Sequence, residues 1–76
     1  MYSILKEFEV FIRSAVSDTE SMFQDGNKQE MRNHIVPIID LEMKRIITLN
    51  QNLDDNYILT NALSEAKFEG LYGLLS

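Results

Sequence analysis

The chain has 76 residues, enough for one domain, and its 45% apolar and 25% charged side chains form a globular rather than a disordered balance. It has no cysteine, which rules out disulfides and thiolate metal sites in a domain short enough to bury only about 60% of its unfolded surface. Twelve acids against seven bases give a formal charge of −5, so direct binding to phosphate backbones is not expected.

The acids concentrate at the two ends. Residues 1–25 carry Lys6 and Arg13 against Glu7, Glu9, Asp18, Glu20 and Asp25, and residues 54–76 carry Lys67 against Asp54, Asp55, Glu65 and Glu69. No apolar run reaches the ~18 residues of a membrane span. The first residues lack the basic region and long apolar stretch of a secretory signal. A cytoplasmic protein with no membrane contact is the expectation.

The first element is a helix over residues 3–24. At 100° per residue, Ile4, Leu5, Phe8, Phe11, Ile12, Ala15, Val16, Thr19, Met22 and Phe23 fall within an arc of about 140°. Polar residues fill the remainder, and Val10 is the exception. Glu9 precedes Arg13 by one turn, the favourable order for an exposed ion pair. Asp25-Gly26-Asn27 stops the helix, because glycine takes the left-handed terminal conformation without penalty.

Asn27 caps a second helix over residues 28–53, with Glu30 placed to close a capping box. Met31, Ile35, Ile38, Ile39, Ile46, Leu49 and Leu53 carry its apolar stripe. Pro37 removes a backbone donor and predicts a kink rather than a break, since the stripe stays in phase across it. Leu41, Met43 and Ile47 widen the apolar arc, as suits a central helix with neighbours on two sides. Glu42 projects between Ile39 and Ile46; the kink is expected to carry it to the stripe's edge, beside Arg45 or a partner's cation.

Asp54, Asp55 and Asn56 offer a turn and a choice of N-cap for a third helix over residues 56–70 or beyond. This helix has two apolar faces. Leu59, Ala62, Leu63 and Ala66 form one, while Tyr57, Phe68, Tyr72 and Leu75 lie about 170° away. Ala62, Ala66 and Gly70 make a ridge of small residues that lets another backbone approach. Past Gly70 the apolar tail either continues the helix or folds back on the chain.

The fold class predicted is all-α: one domain over residues 1–76, a three-helix antiparallel bundle that forms oligomers. No catalytic set emerges. The chain lacks a glycine-flanked nucleophilic serine and a phosphate-cradling loop, and a helical domain of this size has no natural deep pocket. His34, the one histidine, has Glu30 one turn before it, but two ligands do not make a metal site. Asp54 and Asp55 sit where a helix cap is needed. Neither enzyme activity, a cofactor, a metal nor a small-molecule substrate is expected. The predicted activity is protein binding by a small regulator, adaptor, chaperone-like subunit or inhibitor, through Tyr57, Phe68, Leu71, Tyr72, Leu74 and Leu75. The partner is a second copy in a homodimer, another protein, or both. The alternative is a structural subunit whose apolar face serves only its own oligomer.

Overall fold

The computed structural model describes residues 2–52, 54 and 56–75; Leu53, Asp55 and the side chain of Leu75 lie outside the described residues. Among the described residues the fold is all-helical. Three long helices, α1 (Tyr2–Met22), α2 (Lys28–Leu49) and α3 (Asn56–Gly70), precede a single turn, α4 (Tyr72–Leu75).

Helix α1 ends slightly before the expected residue 24. Gly26 takes φ 77°, and its amide donates to the Phe23 carbonyl at 3.0 Å. Asn27 then caps α2, its side chain accepting the Glu30 amide at 3.1 Å. Only half of the anticipated capping box forms, because the Asn27 amide donates to the Asp25 carboxylate at 3.3 Å instead of reaching Glu30.

Helix α2 runs unbroken through Pro37, which lies on its exposed side. It stops at Leu49, short of the expected residue 53. Asn50 closes the end by donating from its side chain to the Ile46 carbonyl at 2.8 Å, and from its amide to Ile47. Asn56, expected among the caps of α3, instead donates its side-chain amide to the Asn50 carbonyl at 2.9 Å. It ties the start of one helix to the end of the other.

These ties give the topology. As α2 positions fall from Asn50 to Asp40 to Arg32, their partners rise from Asn56 to Lys67 to Leu74. Helix α2 is therefore antiparallel to α3 and to the α4 turn beyond it. Phe23 meets His34 in a tilted ring contact just past one end of α1, and Ile4 shares a crevice with Leu49 and Asn50 at the other, so α1 is also antiparallel to α2. Helices α1 and α3 run the same way, with Leu5 level with Ala62 and Ile12 level with Gly70.

The core joins all of these elements: Phe8 and Ile12 from α1; Met31, Ile35, Ile39 and Ile46 from α2; Leu59 and Leu63 from α3; then Leu71 and Leu74. Thr19 is the one buried polar residue among those described, and its hydroxyl donates to the Ala15 carbonyl at 2.7 Å. The bundle measures 45 × 19 × 17 Å, with a radius of gyration of 13.1 Å. A near-spherical chain of this length would have about 11 Å. A thin rod has little interior, so several apolar side chains assigned to stripes by periodicity remain outside. Phe11 and Ala15 are only half-buried, while Met22, Ile38 and Leu49 are exposed.

Candidate functional site

Helix α3 satisfies the chain's own core with Leu59 and Leu63 and turns its opposite side outward. On that outer side Tyr57 and Phe68 are 68% and 58% exposed, and Tyr72, at the start of α4, is 60% exposed beside Phe68. Phe68 and Tyr72 meet edge to face, ring centroids 6.1 Å apart and planes at 66°. That arrangement sets the positive edge of one ring against the negative face of the other. Tyr57 stands eleven residues earlier, about 16 Å along the axis at 1.5 Å per residue. Ile58, which the sequence reading passed over, is exposed beside it.

Leu71 and Leu74 do not belong to this surface, which corrects their assignment to partner binding. Both are buried in the chain's own core, at 1% and 7% exposure. The cause is the chain's turn after Gly70. The Leu71 amide donates back to Lys67 at 3.0 Å, the Leu74 amide donates to Leu71 at 2.9 Å, and α4 packs against α2 and α3. Arg32 of α2 holds the turn by donating Nη1 to the Leu74 carbonyl at 2.7 Å. Past this turn the tail runs on along α2 in the direction of α3, with Leu71 and Leu74 turned into the core.

Acidic side chains border the aromatic face. Glu65 and Glu69, one turn apart on α3, are exposed on its α1 side, and with Glu9 of α1 they line a shallow cleft floored by Leu5, Ala62 and Ala66. Arg13 joins this cleft near Gly70. Among the described residues none of these four charges is in an ion pair, so the spacing of Glu9 and Arg13 does not produce the bridge it suggested. The base of α3, Lys67, points the other way and pairs with Asp40 of α2.

A second apolar surface runs along the seam of α1 and α2, away from α3. Phe11, Ala15, Met22, His34 and Ile38 line a groove of about 350 Å³ there. Periodicity had placed Met22 and Ile38 in buried stripes. They are exposed because no third helix covers this side.

The remaining candidates resolve into structural parts. Glu42 accepts from Arg45 Nε and Nη2 at 2.8 and 2.7 Å, as its expected position at the stripe's edge implied. These hydrogen bonds hold its carboxyl below the ordinary carboxylate range, against an opposing effect of partial burial. His34 is half-buried, its ring 5.6 Å from that of Phe23. Among the described residues no three histidine or carboxylate side chains gather as metal ligands would, and no helix is long and apolar enough to cross a membrane.

Compared with known proteins, the chain matches no family model, no curated protein and no solved structure.

Proposed function

We propose that this chain is a small, acidic, non-enzymatic protein-binding module of the cytoplasm, a regulator, adaptor, chaperone-like subunit or inhibitor, that acts through the outer face of α3. The observation that carries this reading is the Phe68–Tyr72 pair, one ring from the last turn of α3 and one from the start of α4, both more than half exposed while the inner faces of these elements fill the core. Exposed aromatic side chains are costly to leave in water and are enriched at the centres of protein interfaces. The shallow, open cleft beside this face suits a macromolecular partner better than a substrate. A bend of α2 at Pro37, where proline leaves the Asn33 carbonyl without its helical donor, is part of the same proposal, since it would let α2 follow both neighbours.

A second reading, self-assembly, is favoured by the apolar seam of Phe11, Met22 and Ile38, which offers a second copy a surface of its own. Changing Phe68 and Tyr72 to serine tests the first reading. Both side chains lie outside the core, so the double variant should keep its helical circular dichroism and lose the protein that wild type captures from its native lysate. Retention of that protein would reject the α3 face as the site, and recovery by wild type of nothing but further copies of itself would favour the second reading.

A further inference from the structure

Resting on that reading of the α3 face, we infer that its partner is a cationic amphipathic segment, one that presents apolar side chains flanked by lysine or arginine, and not a second copy of this chain. The face has two parts that such a segment would meet together. Phe68 and Tyr72 supply exposed apolar area and ring faces that attract cations. Beside them, Glu9, Glu65 and Glu69 line a cleft whose floor is Leu5, Ala62 and Ala66. Short side chains on the floor leave room for the aliphatic stem of a lysine or arginine, and the glutamates stand where its charged head would emerge.

Charge selects among the possible occupants. Glu65 and Glu69 have no cationic partner within the described residues, and Lys67 is already engaged by Asp40 on the far side of α3. Arg13 alone answers three carboxylates in the cleft. In a two-fold dimer through this face, the same patch would meet itself, bringing the glutamates of one copy towards those of the other. Like charges brought together at an interface oppose association, and a chain of net charge −5 adds to that repulsion. A segment bearing lysines gains from every one of these features.

The probe is a synthetic helix of about five turns (~18 residues) with leucines on one face and lysines along its flanks. Two companions replace every lysine by glutamine or by glutamate. Binding to the full chain is read by fluorescence anisotropy at low and at physiological salt. The lysine peptide should bind and weaken as salt rises, the glutamine peptide should bind several-fold more weakly, and the glutamate peptide should not bind. Glu65→Gln with Glu69→Gln should weaken the lysine peptide about three- to tenfold and flatten its salt dependence. If the lysine and glutamine peptides bind alike, or the paired Gln variant binds the lysine peptide like wild type, the cationic partner is wrong while the aromatic face stands. If Phe68→Ser with Tyr72→Ser leaves all peptide binding unchanged in a folded protein, the face itself is wrong. Failure of the lysine peptide to bind wild type overturns the inference outright.

Discussion

Gly70 of α3 lies so close to Ile12 of α1 that a β-carbon on the glycine would stand 2.5 Å from the isoleucine Cγ2. Gly70 does not take a positive φ, so close approach, not left-handed geometry, is what requires glycine here. Ile12 is fully buried and β-branched, and its Cγ2 is the short branch, with little freedom to swing aside. Gly70→Ala should therefore destabilise the protein by about 1–3 kcal/mol, the usual range for forced overpacking, despite the better helix propensity of alanine. Gly73→Ala is the contrast, because nothing lies within 4 Å of its added carbon. It should be neutral or stabilise by up to about 1 kcal/mol. Urea titrations of the two variants check both signs.

Phe8 and Phe11 sit on the same stripe but in different surroundings. Phe8 is 1% exposed in the core, whereas Phe11 borders the open seam with α2. Phe8→Ala should cost about 3–5 kcal/mol, and Phe11→Ala about half of that. A domain of this length has about 4–11 kcal/mol in all, so the first variant should lose a large share of its stability and melt well below the second. Equal losses in thermal melts would contradict the burial difference.

That contrast marks how far periodicity reaches. The 100° repeat finds the helices and the middle of each stripe, and Phe8, Ile12, Ile35, Ile39, Leu59 and Leu63 are all buried. It does not find the edges, because burial of Met22, Ile38 or Leu49 depends on whether a neighbouring helix covers that side. The two-faced pattern of α3 pointed to an outward Tyr57, Phe68 and Tyr72, which the structure exposes. The fate of Leu71 and Leu74 was not legible: a turn after Gly70, held by Arg32 from 42 residues earlier, depends on contacts distant in sequence. The acidic cleft was equally hidden, since Glu9 meets Glu65 and Glu69 only when α1 and α3 run side by side.

The partial capping box separates two residues that sequence treats as a pair. Asn27 accepts the Glu30 amide, while no hydrogen bond runs from the Asn27 amide to the Glu30 carboxylate. Asn27→Ala should cost about 1 kcal/mol, the usual loss for a capping side chain. Glu30→Gln should cost much less, keeping only the modest benefit of a negative charge near the start of α2. Similar melting points for the two variants would show that the box closes in solution.

The Glu42–Arg45 pair predicts a pH dependence of definite sign. Hydrogen bonds from Arg45 hold the Glu42 carboxyl below its ordinary range, outweighing the upward push of partial burial, and the arginine's charge adds to the lowering. A carboxyl with a depressed folded pKa contributes stability that is fully present above its unfolded pKa, about 4.3, and lost as pH falls through the folded value. The Arg45 side chain is 58% exposed, so solvent screens the pair and its effect should be small. Glu42→Gln should lower the melting point by a few degrees at most at neutral pH. The gap from wild type should close in acid, once the wild-type carboxyl is also neutral. In an Arg45→Gln background, the same change should produce little gap at any pH. A gap that stays constant from neutral pH down to about pH 3, or survives intact without Arg45, would assign the loss to packing beside Ile46 rather than to the ion pair.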